Sequence, residues 1–244
     1  GEGGFRSFEE LGINVPTTAD DGEEYVRGWA YLPESYSEES GKKYPMIITI
    51  TGGGTSFWRL PDGTNNFGTG LNFDGSGFRW MGNDAIVLNI HDRSSGGGDE
   101  YKFWVDDYNV IQYFIENYNA DPDDITLTGN SRGTIASNTI ASAYPDLIKT
   151  LILTNGSMGT GIAGKSMFEG VWGEEEWQAA AENGLRIWAF DGELDTNNIE
   201  LYNTAIQYYK DAGWSDEWIS ENIRLTGFPT EWYYYWGETD HSTT

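Results

Sequence analysis

One glycine-flanked serine and two histidines limit the chemistry available to this chain. Gly129-Asn130-Ser131-Arg132-Gly133 has the form G-x-S-x-G. A serine raised on a sharp strand-to-helix turn needs backbone room on both sides. Glycines supply it, and the hydroxyl then projects above the sheet as a nucleophile. The amide after the serine, that of Arg132, is turned toward a developing oxyanion. In a chain with 32 glycines the pentapeptide alone says little. Its context says more, because it directly follows a short strand at 125–128 and directly precedes a helix of small residues at 134–144. Gly156-Ser157-Met158-Gly159 lacks this spacing and reads as loop.

A serine loses its proton near neutral pH only with a base within hydrogen-bond reach. His91 closes a strand and is expected to make a structural hydrogen bond. His241, in the polar run Gly237-Glu238-Thr239-Asp240-His241-Ser242, is the one histidine after Ser131. It satisfies the chain order nucleophile, acid, histidine. The acid must fix the imidazole tautomer, and Phe190-Asp191-Gly192-Glu193-Leu194-Asp195 offers Asp191, Glu193 and Asp195. Asp195 sits deepest in the loop and is the preferred choice. Its plainer role would be a helix N-cap, and Asp191 is its main rival. Asp240 adjoins His241, and sequence neighbours seldom align in a triad. Thr51-Gly52-Gly53-Gly54 ends a central strand with bare amides. The Gly53 amide pairs best with that of Arg132 as an oxyanion hole, with Gly54 the alternative. No Lys-Ser/Thr pair follows these glycines, so a phosphate loop does not fit. This chemistry requires no metal and no cofactor.

Strands alternating with helices must position these residues. The run at 45–51 is apolar on both faces, as a central parallel strand is, and 85–90 repeats the pattern. Further strands are expected at 25–32, 148–153, 185–190 and 222–226. Helices are expected at 101–118, with a stripe of Tyr108, Ile111, Ile115 and Tyr118, and at 174–182 and 200–211. Asp121-Pro122-Asp123-Asp124 reads as a turn, and residues 1–23 as a loose lead-in. The expected architecture is one α/β domain over 1–244, a mostly parallel central sheet with helices on both faces.

The long connections at 55–83 and 155–184 leave where ligands bind in such sheets. They are rich in aromatic and Met residues. Trp58, Trp80, Met158, Trp172 and Trp177 are the candidate substrate contacts, the alternative being that such rings fill core.

The chain's 244 residues suffice for a proper core. With 14 basic and 39 acidic residues the net charge is −25, which repels phosphate backbones and anionic membrane surfaces. Nucleic acid is therefore excluded as a partner, and no apolar run is long enough to insert in a bilayer. The absence of cysteine excludes disulfides, thiolate metal sites and cysteine nucleophiles. The first residue is Gly1, not Met, and no signal peptide is visible. The expected location, secreted or at the cell surface, is inferred without one.

These stretches resemble the secreted carbohydrate-esterase and polyhydroxybutyrate-depolymerase branch of the α/β-hydrolases, which includes feruloyl and acetyl xylan esterases. Supporting segments are Gly28-Trp29-Ala30-Tyr31-Leu32-Pro33, the run 43–54, the run 118–133, the run 190–195 and the late His241. The resemblance implies an α/β-hydrolase fold and a serine esterase acting through Ser131, Asp195 and His241. Its expected partner is a small, polysaccharide-linked or polyester-like ester. Thr51, Arg132, Thr134 and Asp191 stand where the family often has His, Met, Gly and His. Oxyanion stabilisation by backbone amides tolerates such changes. The family also usually has a helix after its histidine, whereas only Ser242-Thr243-Thr244 follow here. The alternatives are a prolyl-oligopeptidase-like peptidase and a non-catalytic carbohydrate-binding relative.

Overall fold

The computed structural model describes residues 3–18, 24–50, 58–59, 65–66, 83–90, 104–130, 133–154, 172–192 and 199–228. The chain packs as two compact units, Gly1–Thr126 and Leu127–Thr244.

In the first unit, β3 (Tyr44–Ile50) and β6 (Ile86–Ile90) pair in parallel with Ile48 opposite Leu88. All five residues of β6 are buried. This is why the run, Asn89 apart, reads as apolar and does not alternate. On the other side of β6 lies β2 (Gly28–Leu32), antiparallel, followed by β1 (Gly4–Ser7). The supposedly loose lead-in therefore contains a strand. Gly4-Phe5-Arg6-Ser7 has no strand signature of its own, and pairing with β2 together with a Phe5–Trp29 ring stack at 5.0 Å supplies what its sequence lacks. Gly28 is required by space, because a Cβ there would lie 2.5 Å from the Asn89 carbonyl oxygen and 2.6 Å from the Phe8 ring. Two short strands, β4 (Trp58–Arg59) and β5 (Asn65–Asn66), form a separate antiparallel pair.

Helix α1 (Trp104–Asn117) buries Val110, Ile111 and Phe114, and Tyr118 just beyond it. Phe114 stacks on Tyr118 at 4.6 Å. The buried stripe is turned from the expected one, since Tyr108 and Ile115 are only half-buried. The reason is polar. Asp106 is 2% exposed in the first turn, where its carboxylate accepts from Thr17 Oγ1, Thr18 N and Thr18 Oγ1 at 2.7–3.1 Å. A buried carboxylate so satisfied rotates the face that the apolar residues alone suggest.

The unit boundary falls inside β7 (Ala120–Asn130), which follows β3 in the sheet order and carries on into the second unit. The expected turn at 121–124 lies within this strand. Its turn chemistry survives as one bond, from the Asp123 amide to Asp121 Oδ1 at 2.9 Å, inside an extended backbone. After β7 come α2 (Gly133–Ala143), β8 (Thr150–Thr154), α3 (Glu174–Asn183), β9 (Arg186–Gly192), α4 (Ile199–Asp211), α5 (Asp216–Asn222) and β10 (Ile223–Phe228). β8, β9 and β10 pair in parallel in that order. The whole is a mostly parallel eight-stranded sheet with helices. Helix α5 was not expected from the sequence. Ser215 caps it by accepting from the Trp218 amide at 3.1 Å, with Asp216 and Glu217 in the first turn.

Tyr209 on α4 is fully buried, and its hydroxyl donates to the Leu185 carbonyl just before β9. Burial pushes that hydroxyl well above the ordinary tyrosine value of 10.0. Folding therefore favours the protonated form. Its contribution is complete below pH 10 and is lost as pH rises further, because only the unfolded chain then releases the proton. Tyr209→Phe should cost about 1–2 kcal/mol at pH 7 by urea unfolding, since the Leu185 carbonyl loses a partner. Its stability should also decline less steeply than wild type above pH 10, and equal slopes would refute the assignment.

Candidate functional site

The nucleophile segment sits at the tightest backbone approach among the described glycines. β7 ends at Asn130 and α2 begins at Gly133, so only Ser131 and Arg132 separate strand from helix. A Cβ on Gly129 would lie 2.3 Å from the Gly133 carbonyl oxygen and 2.5 Å from both the Gly133 carbonyl carbon and Ser137 Oγ. No side chain fits there. It is this approach of strand to helix, and not a left-handed backbone, that makes position 129 a glycine.

The strand arm is held from outside and the helix arm from within its own helix. Thr154 Oγ1, at the end of β8, donates to the Gly129 carbonyl at 3.1 Å. On α2, Ser137 Oγ donates back to the Gly133 carbonyl at 2.8 Å, which satisfies a buried hydroxyl within its own helix. Thr134, Ser137 and Asn138 are buried, so this face of α2 is polar yet enclosed. Small side chains let the helix lie close to the sheet, and α2 packs against β8 and α3.

Ser131, Arg132, Asp195, His241, Gly53, Trp80 and Met158 lie outside the described residues, as do the weighed alternatives His91, Glu193, Asp240 and Gly54. Asp191 falls within β9, opposite Gly227 of β10, which sets its backbone at the carboxyl end of that strand. Trp58 falls within β4. Trp172 and Trp177 are described in full. Trp177 is 2% exposed on α3, and its ring stacks on Trp172 at 4.2 Å and 18°. A side chain so enclosed has no surface left for a ligand, so Trp177 takes the core-filling role. Trp172 keeps partial exposure, and its indole N–H donates to Asn138 Oδ1 at 3.0 Å. Sequence reasoning passed over Asn138. A polar residue at the enclosed face of a small-residue helix was its one signal.

In the first unit, the Asn89 side-chain amide donates to Thr49 Oγ1 at 2.7 Å, and Thr49 Oγ1 donates to the Leu88 carbonyl at 3.0 Å. This ties together β3 and β6 just before the segments that carry Gly53 and His91. Among the described residues, no group of acidic or histidine side chains is arranged to hold a metal ion.

No protein-family model matches the chain. Two relatives align with parts of it. It is 40% identical over 40 residues to an acetylxylan esterase of Coprinopsis cinerea, 16% of this chain and 11% of that protein. It is 38% identical over 53 residues to feruloyl esterase B of Talaromyces funiculosus, 22% of this chain and 14% of that protein. The matches thus span only a small part of either relative. Among solved structures, a thermostable esterase superimposes with a TM-score of 0.60 at 15% identity, over 97% of this chain and 58% of that one. An esterase of Thermogutta terrifontis gives 0.55 at 16%, over 89% and 81%. A candidate dipeptidyl aminopeptidase IV of Bacteroides ovatus gives 0.56 at 15%, over 93% and 32%. At such identities the superpositions speak for the fold alone.

If the approach of strand to helix demands a glycine, Gly129→Ala must push β7 and α2 apart. It should lower unfolding stability by about 1–3 kcal/mol, as overpacking does. A denaturant midpoint unchanged from wild type would show that the turn yields freely. By its topology and by the proteins it superimposes on, the chain has the α/β-hydrolase fold.

Proposed function

We propose that the protein is a serine esterase that cleaves carboxylic esters through an acyl-enzyme. The observation that carries this reading is the strand–turn–helix at Gly129. It leaves room for nothing but Ser131 and Arg132 between a central strand and an enclosed helix. The local identity to an acetylxylan esterase and to feruloyl esterase B supports the substrate class.

Ser131 Oγ attacks the ester carbonyl carbon while His241 takes the hydroxyl proton. Asp195 accepts a hydrogen bond from the other ring nitrogen and holds the tautomer. The amides of Gly53 and Arg132 receive the oxyanion, each such donor being worth about 3 kcal/mol. Collapse of the tetrahedral adduct breaks the carbon–oxygen bond to the alcohol, and His241 returns the proton to that alcohol. Water, deprotonated by His241, then attacks the acyl-enzyme and releases a carboxylic acid and free Ser131. The sequence needs no metal or cofactor at any step.

The substrates we propose are feruloyl or acetyl esters of plant polysaccharides, or polyester-like chains. Trp58, Trp80, Met158 and Trp172 remain the candidate contacts. Polymers of this kind are too large to import, so the enzyme would work outside the cell or on its surface. No helix among the described residues is long and apolar enough to cross a membrane. A peptidase is the second reading, favoured by the superposition on the candidate dipeptidyl aminopeptidase IV. A non-catalytic carbohydrate-binding protein is the third.

The test is hydrolysis of p-nitrophenyl acetate and methyl ferulate beside aminoacyl p-nitroanilides. The esters should be cleaved in preference to the anilides. Ser131→Ala should lose about 10³-fold or more in kcat. Asp195→Asn should lose about 10³–10⁴-fold, and Asp191→Asn much less. Cleavage of anilides alone would favour the peptidase, and esterase activity surviving Ser131→Ala would overturn the assignment of the nucleophile. If the larger loss fell on Asp191→Asn, that residue would be the acid.

A further inference from the structure

The second unit carries a groove between α3 and α4. Its volume is about 650 Å³, the size of a small-molecule site. Glu174, Gln178 and Glu182 line it from α3, one turn apart, and Gln207, Tyr208 and Asp211 line it from α4. The glutamines are set in place. The Gln178 side-chain amide donates to Glu174 Oε1 at 3.1 Å, and that of Gln207 to Asp211 Oδ1 at 2.8 Å. Each carboxamide spends one N–H in this way and keeps a second N–H and its carbonyl oxygen. Donors and acceptors interleaved along a groove suit hydroxyl groups, which both give and take hydrogen bonds.

Beyond the end marked by Glu182 and Asp211, a stack of three rings runs out from the core. Tyr209 is fully buried, Trp218 stacks on it at 5.8 Å, and Trp214 stacks on Trp218 at 4.0 Å. The Trp214 indole also donates to the Ala181 carbonyl of α3 at 2.7 Å. The outer ring is therefore fixed by its face and by its edge, yet both tryptophans stay half-exposed. A ring immobilised before a ligand arrives costs no ordering on binding, and its apolar surface suits the C–H face of a sugar. Charge narrows the choice of ligand. Among the described residues, three carboxylates and no lysine or arginine line the groove, so anionic chains are repelled. Nor is any group of acidic or histidine side chains among the described residues arranged to hold a metal ion.

We propose that this groove, with Trp214 at its end, is a non-catalytic binding site for an uncharged, hydroxyl-rich glycan chain. The carboxamides and carboxylates take the hydroxyl groups, and the rings of Tyr208 and Trp214 take the apolar faces of the sugars. The inference goes beyond the esterase reading and stands apart from it, since no group of the groove takes part in ester cleavage. In an enzyme acting on polysaccharide esters, such a site retains the polymer between turnovers.

The experiment is electrophoresis of the full chain in native gels cast with soluble arabinoxylan, with polygalacturonate or with no polymer. The arabinoxylan is extracted with alkali and carries no esters, so retardation reports binding and not turnover. Arabinoxylan should slow the wild type, and polygalacturonate should not. The double variant Gln178→Ala with Gln207→Ala trims two exposed side chains and should raise the dissociation constant for arabinoxylan about tenfold, the worth of two hydrogen bonds. Trp214→Ala should raise it at least as much. Urea unfolding checks that each variant is folded, and if Trp214→Ala is not, the glutamine variant decides. A wild type that arabinoxylan does not slow would overturn the proposal. So would a glutamine variant slowed as much as the wild type, which would put the binding elsewhere on the chain. Stronger retardation by polygalacturonate would overturn the assignment to uncharged glycans. None of these outcomes depends on whether Ser131 is the nucleophile, which the ester assays decide separately.

Discussion

The structure turns on a backbone contact that excludes a single methyl group. At Gly129 the end of β7 and the start of α2 come together so closely that a Cβ would stand 2.3 Å from a carbonyl oxygen. A strand can pass into a helix within two residues only if the backbones are allowed to meet this way. Between the two elements stand only Ser131 and Arg132. The polar interior of α2 follows from the same approach. A helix pressed against a sheet takes small residues on its inner face. Ser137 then returns its hydroxyl to its own helix, and Asn138 reaches out to Trp172.

Around this contact the second unit is tightly filled, with Leu151, Leu153, Ile187 and Ala189 buried on β8 and β9. Parallel strands buried on both faces give a rigid frame, because interiors close-packed to crystal density transmit displacement and do not absorb it. Among the described residues, most buried polar groups of each unit are answered. Asp106 is answered by two threonines, Asn89 by Thr49, the Leu185 carbonyl by Tyr209, and the Ala181 carbonyl by Trp214 at 2.7 Å. Asn89 Oδ1 and Trp188 Nε1 are buried without a hydrogen-bond partner. Each such group costs about 1–3 kcal/mol. The Asn89 oxygen lies one residue before the end of β6.

What the sequence made legible follows the physics of each element. β3, β6 and β8 declared themselves because a strand largely buried on both faces writes a mostly apolar run, whereas β10 alternates buried Ile223 with exposed Arg224 and Thr226. β1 did not, since a short edge strand owes its existence to its neighbour β2. The stripe of α1 was misplaced because a buried, hydrogen-bonded Asp106 is indistinguishable in sequence from an exposed one. α5 was missed although Ser215-Asp216-Glu217 is a capping signal, because the apolar residues after it are too few to show a period. At the site, the glycine spacing could be read because it encodes a steric requirement. Which of two tryptophans five residues apart faces solvent could not, since both are compatible with the same helix start. Trp177 points into the core and Trp172 only partly does.

The net charge of −25 bears on how such a site would exchange its ligands. At physiological salt the field of exposed carboxylates decays over about 8 Å, so it does not steer molecules from afar. Close to the surface it still discriminates. A neutral ester approaches without penalty, whereas the carboxylate released by its hydrolysis leaves a surface of like sign. For an acyl-enzyme mechanism this asymmetry falls on the step where it helps, because product departs as an anion while substrate arrives uncharged. Uronate-rich or phosphorylated polymers would meet the same repulsion on arrival. On the esterase reading, the charge would weigh against anionic carriers of the ester without a residue dedicated to recognising them.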